Sequence, residues 1–143
     1  MCDIRIASET ALFAESFVKL GLIPGDGGAW FLPRAVGVSN ANYMSFTGES
    51  IKADKALQMG LVSEVLASEK LMARAMEIAQ LIAKNPPHAV RLAKQLIKGS
   101  EKSTLDETLD KSASFQAVCH AEPDHQEAIA AFFEKRDGNY RMR

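Results

Sequence analysis

"LGLIPGDGGAWFLPRAVG", residues 20–37, is a glycine-rich bend that runs straight into an apolar helix, and its reading decides the fold. Gly25, Gly27 and Gly28 permit positive φ angles and let a ligand come close to the backbone. A helix that begins near Gly28 points unpaired N–H groups toward that approach, which favours negative charge there. One acid, Asp26, sits in the middle. No Gly-Lys-Ser/Thr follows, so a P-loop is excluded. The spacing leaves three readings open: a phosphate, a carbonyl oxygen, or a plain bend. Asp26 is correspondingly either a carboxylate cap on its own helix or a functional acid.

The bulk numbers bound the answer further. At 143 residues, 47% hydrophobic and 24% charged, the chain can form one globular domain with its own core. Its 17 basic and 18 acidic side chains leave a net charge of −1, so no electrostatic footprint for nucleic acid or an anionic membrane is present. No apolar run approaches the roughly 20 residues that span a bilayer. Cys2 and Cys119 are far apart and lack metal-type spacing, which fits a reducing, cytoplasmic compartment. His120 and His125 flank Pro123, so a single helical face does not present both to a metal, and no metal is expected. The start, "MCDIRIASETALFAES", has neither a secretory nor a transit pattern.

Along the chain, two halves differ. Residues 1–66 mix short strands, glycine turns and short helices. "CDIRIAS" (2–8) alternates like a strand, "ALF" (11–13) is a second short one, and both need neighbours on their edges. Helices are expected at 28–36, at 39–46 with Ser39 as cap, and at 53–59 with a stop at Gly60, followed by a strand "LVSEV". Residues 67–143 read as four helices. The first carries Leu71, Ala75, Ile78, Leu81 and Ile82 and ends before Pro86-Pro87. The second carries Val90, Ala93, Leu96 and Ile97 and closes at Gly99. Thr104 and Glu107 form a capping box for the third, with Leu105, Leu109, Ser112, Phe115 and Cys119 inward. Pro123 opens the fourth. One apolar stripe per helix and an incomplete sheet imply packing against another subunit or a missing half-domain.

Four segments in order, "FAESFVKLGLIPGDGGAWFLPRAVG", "SFTGESIKADKALQMGLVSEV", "NPPHAVRLAKQLI" and "AFFEKR", resemble the enoyl-CoA hydratase/isomerase (crotonase) family. The resemblance runs from Cys2 to Arg136. It implies an α/β fold of the ClpP/crotonase type: the C-terminal portion of a ββα spiral over 1–66, then a helical trimerisation region over 67–143. It also implies an acyl-CoA thioester as substrate, with coenzyme A entering as part of that substrate and no separate cofactor. The expected assembly is a homo-trimer or hexamer. Two backbone N–H groups would hold the enolate-like thioester anion while acidic side chains move protons, stabilising charge that develops in the transition state.

Carried over residue by residue, the resemblance departs from the family at two points. The usual Glu of a Pro-Glu pair falls on Phe17, which cannot move a proton and is left as a substrate-binding candidate. Glu15 lies two residues earlier; on a strand it would share Phe17's face, and its alternative is a solvated strand-edge carboxylate. Asp26 stands one residue after the position, Gly25, where some relatives place an acid. Catalytic candidates are therefore Asp26 and Glu15. Gly25, Gly27 and Trp30 would line the acyl site, Trp30 having a core position as its alternative. Phe132 and Lys135 match the segment that holds the coenzyme A of an adjacent subunit, with Arg136 a weaker candidate. The second departure is that the family's oxyanion-hole loops and its other catalytic Glu lie before Cys2. Losing one such donor typically costs about 3–4 kcal/mol, so this polypeptide alone is expected to be inactive. The parent reaction is hydration of an enoyl-CoA or migration of its double bond, most naturally in fatty-acid or related acyl-CoA metabolism. The competing expectation is a non-catalytic, coenzyme A-binding or oligomerisation module, or a truncated product. A third is that the missing half arrives as a separate chain.

Overall fold

The computed structural model describes residues 2–140 and is mixed α/β, mostly helical. It divides into two compact units, Met1–Ala75 and Met76–Arg143, with the division inside one helix.

In the first unit, strand β1 (Ile6–Ser8) pairs in parallel with β4 (Glu64–Leu66), Ala7 lying opposite Val65. Strand β2 (Leu12–Phe13) pairs antiparallel with β3 (Ile51–Lys52). Among the described residues each sheet has two strands. Both strands of the parallel pair are shorter than their alternation predicts. The β4 end is cut back because Leu61 donates its N–H to the carbonyl of Ala56 at 2.9 Å, which continues the preceding turn. The Leu61 carbonyl is in turn occupied by the Arg5 guanidinium rather than by a neighbouring strand.

Helix α1 (Gly28–Val36) has the predicted limits. Helix α2 (Val38–Thr47) starts one residue earlier than expected and uses Gly37 as its N-cap. Ser39 therefore lies inside the helix and caps nothing. Helix α3 (Ala53–Gln58) follows β3, and Gly60 beyond it has φ +77°. Helix α1 presents Leu32 and Val36, four apart, and α2 presents Ala41 and Met44, three apart; both spacings put a pair on one face. These four side chains, with Ile51, Ala56, Met59 and Val62, form one buried cluster.

Helix α4 (Leu71–Ala83) crosses the division between the units. Its Arg74 grips Glu64 of β4 with bonds of 3.0 and 3.2 Å, both residues belonging to the first unit. In the second unit, α5 (Pro87–Ser100) packs on α6 (Leu105–Ala121), and α6 on α7 (Pro123–Glu134). Pro87 and Pro123 occupy first-turn positions, where a missing N–H costs nothing. The α6 capping box is present in full. Glu107 Oε2 accepts from the Thr104 N–H at 2.8 Å, and Thr104 Oγ1 accepts from the Glu107 N–H at 3.3 Å. Helix α5 continues through Gly99, which was expected to close it. The Ser100 hydroxyl satisfies the Ile97 carbonyl and the Ser103 hydroxyl that of Gly99, so the helix ends at side-chain donors instead.

The apolar stripe of α6 is also displaced. Leu105 is 72% and Leu109 56% exposed, whereas Thr108, Ser112, Phe115 and Cys119 are partly buried. That four–three–four spacing is a helix face turned away from the two leucines. In α4–α7, Ala131 is the single fully buried residue among those described. No helix among the described residues is long and apolar enough to cross a membrane. The buried weight of the fold thus lies in the first unit, and Met44, 2% exposed, is at its centre. Replacing it, Met44→Ala, should cost about 2–5 kcal/mol in urea unfolding. A cost below about 1 kcal/mol would show that this cluster does not carry the fold.

Candidate active site

The bend of residues 20–37 sits behind a short 3-10 turn, Phe17–Leu20, so residues 15–17 are not on a strand. The expectation that Glu15 shares a strand face with Phe17 fails for that reason. Phe17 opens the turn, partly buried, and its carbonyl accepts the Leu22 N–H at 3.0 Å. Gly27 then takes φ +93° as the N-cap of α1, and its carbonyl accepts from both Trp30 and Phe31, at 2.9 and 3.0 Å. A side chain at this φ would be strained, and a methyl group would also meet the Phe31 ring at 3.1 Å.

Asp26 is exposed and points one oxygen at its own helix. Its Oδ1 accepts the Gly28 N–H at 2.9 Å. Gly27 is the N-cap, so Asp26 acts from one residue outside it, as an Asx turn satisfying the first helical N–H. Glu15 is the more unusual group. Its Oε1 is shut off from solvent and has no hydrogen-bond partner among the described residues. The rest of the residue is only partly buried. This oxygen lies against the bare Cα of Gly28: a methyl group there would overlap it, and would stand 3.1 Å from Asp26 Oδ1. Burial, and then the negative charge of Asp26, hold the Glu15 carboxyl above its ordinary value of 4.5. The structure therefore brings Glu15, Asp26 and Gly28 together. The solvated strand-edge alternative for Glu15 does not describe it.

Gly25 is exposed, and a side chain there would meet the Ile23 carbonyl oxygen at an ordinary contact distance of 3.9 Å. Trp30 is 44% exposed and so is not a core residue. The Arg34 guanidinium lies 3.3 Å from the centre of its ring and donates to its carbonyl at 3.0 Å, which covers one face of the indole. Arg34 was missed; a Trp and an Arg four apart on a helix are the signal that would have found it. A separate groove of about 600 Å³ in the same unit is lined by residues such as Asn40, Tyr43, Lys52 and Lys55. It contains none of the predicted site residues.

Phe132 and Lys135 belong to the second unit and stand at the end of α7. Phe132 and Phe133 are 79% and 77% exposed and meet edge to face at 5.7 Å. Lys135 is the single non-glycine residue with positive φ among those described, at φ 55° and ψ 42°. It occupies the left-handed position of a Schellman cap, Lys135 N–H bonding to Phe132 and Arg136 N–H to Ala131. A residue with a Cβ costs roughly 1–2 kcal/mol there. Arg136 offsets it. Its guanidinium reaches both oxygens of Glu127, at 2.5 and 3.1 Å, and Glu134 at 2.6 Å. Asn139 N–H adds a bond of 2.9 Å to Glu127. Arg136, with the Asn139 N–H, holds the Glu127 carboxyl down at about 2, and the guanidinium is driven further toward its charged form. Arg136 is thus committed inside the chain, and Glu127 is a partner that the sequence reading did not find.

Elsewhere in the second unit, His120 Nδ1 and His125 Nε2 come within 3.0 Å across the α6–α7 junction. Two helices do what one face could not. Among the described residues no group of three or more His, Cys, Asp or Glu side chains is arranged to hold a metal ion.

The Glu15 geometry has a measurable sign. A carboxyl whose pKa is raised in the folded state adds stability that is complete below 4.5 and is lost as pH rises through the raised value. Gly28→Ala pushes the flexible Glu15 carboxyl aside, so the pH dependence of the unfolding midpoint above pH 4.5 should flatten, as it should in Glu15→Gln. An unchanged profile in both variants would contradict the packing of Glu15 against Gly28.

Comparison with known proteins matches this arrangement to one family. The sequence model described as enoyl-CoA hydratase/isomerase covers residues 1–143. A short-chain-enoyl-CoA hydratase of Clostridium acetobutylicum is 43% identical over 135 residues, 94% of this chain and 52% of that protein. A 1,2-epoxyphenylacetyl-CoA isomerase of Escherichia coli is 36% identical over 138 residues, 96% of this chain and 53% of that one. The crystal structure of an enoyl-CoA hydratase from Bacillus anthracis superposes with a TM-score of 0.95 at 39% identity, over 97% of this chain and 54% of the other. The chain spans about half the length of these relatives. It belongs to the enoyl-CoA hydratase/isomerase family and has the crotonase fold.

Proposed function

We propose that the protein processes acyl-CoA thioesters by hydrating an enoyl-CoA or moving its double bond, with Glu15 as the proton-carrying group. The observation that carries this reading is the Glu15 carboxyl, with one oxygen buried and unpartnered, beside the charge of Asp26 at the start of α1. A group that holds its proton more tightly than an ordinary carboxyl is matched to acid–base work closer to neutral pH. In hydration, the water oxygen bonds to the β-carbon, the C=C electron pair becomes the α C–H bond with the Glu15 proton, and the proton the water sheds restores the carboxyl. In migration of a 3-enoyl double bond, the Glu15 carboxylate instead takes the α-proton and returns it to the γ-carbon as the double bond moves into conjugation. Asp26, fixed by the Gly28 N–H, supplies the negative charge that favours the protonated form of Glu15. The bare backbone at Gly25 and Gly27 admits the acyl group, with Phe17 and Trp30 as its apolar walls.

Phe132 and Lys135 hold the coenzyme A moiety of an adjacent subunit's substrate in this proposal. An exposed aromatic face suits adenine, and an ammonium suits a phosphate. The exposed apolar residues of α4–α7, Leu105, Leu109 and Ile97 among them, support assembly into a trimer or hexamer. The activity is proposed for the protein with the other half of the relatives' length present, in the same polypeptide or as a second chain, in cytoplasmic acyl-CoA metabolism. The test is turnover of crotonyl-CoA and of a 3-enoyl-CoA by the protein in its natural form. Glu15→Gln should lower kcat by about 10²–10⁴ with little change in KM, the range for loss of a general acid or base. Full turnover in that variant would remove Glu15 from the mechanism. Failure to bind either thioester would remove the function itself.

A further inference from the structure

The end of α7 contains an arrangement that the proposed reaction does not require. Schellman caps favour glycine at the left-handed position, yet here it holds Lys135. The neighbouring Arg136 commits three nitrogens to two carboxylates. Glu127, eight residues earlier on α7, accepts from Arg136 twice and from the Asn139 backbone once, so it ties the chain that follows Lys135 back to one point on the helix. Lys135 itself is exposed, and its ammonium has no partner among the described residues. A strained residue flanked by a multi-bond ionic clamp, with its own charge left unused, is held for something outside the chain.

We infer that the Glu127–Arg136 pair is a positioning device that holds Lys135 in the left-handed cap, so that its ammonium leaves the helix end in one direction and meets a phosphate group pre-organised. This rests on the proposal that Lys135 binds coenzyme A, and it adds the residues that make that contact possible. Glu127 and Arg136 touch no ligand. They act through Lys135, by removing the other directions in which the long side chain and the frayed helix end would point.

The test is a double-mutant cycle read by calorimetric affinity for coenzyme A, and for 3′-dephospho-coenzyme A, in the protein in its natural form, with the melting temperature recorded for every variant. Lys135→Gly should weaken coenzyme A binding about tenfold, one charge-assisted contact, while leaving the melting temperature equal or higher because glycine relaxes the cap. Glu127→Gln should weaken binding about threefold with Lys135 present, a fraction of that contact. In the Lys135→Gly background the same Glu127→Gln change should leave affinity unaltered while still lowering the melting temperature. Glu127→Asp should recover part of the loss. A smaller effect on the 3′-dephospho form than on coenzyme A would identify the 3′-phosphate as the group met, and an equal effect would identify the pyrophosphate; either agrees with the inference. Unchanged affinity in Glu127→Gln, or an equal loss in both backgrounds, would overturn it while the coenzyme A contact of Lys135 stands. Unchanged affinity in Lys135→Gly would overturn that contact and this inference together.

Discussion

A carboxyl oxygen that has lost its water without gaining a donor is the constraint on which the first unit's chemistry depends. Leaving such an atom unsatisfied typically costs about 1–3 kcal/mol. Glu15 accepts that cost because the surroundings allow little else. Gly28 has no Cβ to push the carboxyl out, and the neighbouring Asp26 is another acid already engaged with the helix N–H. The remaining way to lower the cost is to keep a proton on the oxygen, which is the direction in which its pKa moves. The glycine bend therefore serves two ends. It leaves the backbone bare, and it makes the notch in which an acid holds its proton more tightly than an ordinary carboxyl.

The second unit solves the opposite problem. Its helices are almost unburied within this chain, and what order they show at their ends comes from explicit caps: the Thr104–Glu107 box, the Asn85 side chain on the carbonyls of Leu81 and Ile82, and the Arg136 clamp. Exposed ion pairs ordinarily contribute little. Arg136 differs in making several bonds in one place, and those bonds hold a backbone conformation that a lysine would otherwise leave. Acid should loosen this clamp as pH falls from the ordinary 4.5 of a free carboxyl toward the value of about 2 that Glu127 has in the folded chain.

Much of the fold was legible in the sequence where a local signal has one meaning. Pro87 and Pro123 at first turns, the capping box at Thr104, and the limits of α1 between Gly27 and Gly37 all depend on contacts within a few residues. The order of four motifs carried the family. What was not legible depended on residues distant in sequence. The β4 strand is shortened by Arg5, 56 residues away. The buried side of α6, a helix packed against α5, runs through Thr108, Ser112, Phe115 and Cys119 and leaves Leu105 and Leu109 exposed. Glu15 looked ordinary because nothing adjacent announces that Gly28 leaves room for it. Asp26, the conspicuous acid, is bonded to its own helix, and the inconspicuous one is the group without a partner.

The central claim is that Glu15 keeps its proton above the ordinary carboxyl range because it is wedged against Gly28 beside a charged Asp26. Carbon-13 NMR titration of the Glu15 side-chain carboxyl, assigned by its loss in Glu15→Gln, measures this directly. The account predicts a midpoint above 4.5 that falls when Asp26 is replaced by Asn. A midpoint at or below 4.5, or one indifferent to Asp26, would contradict it.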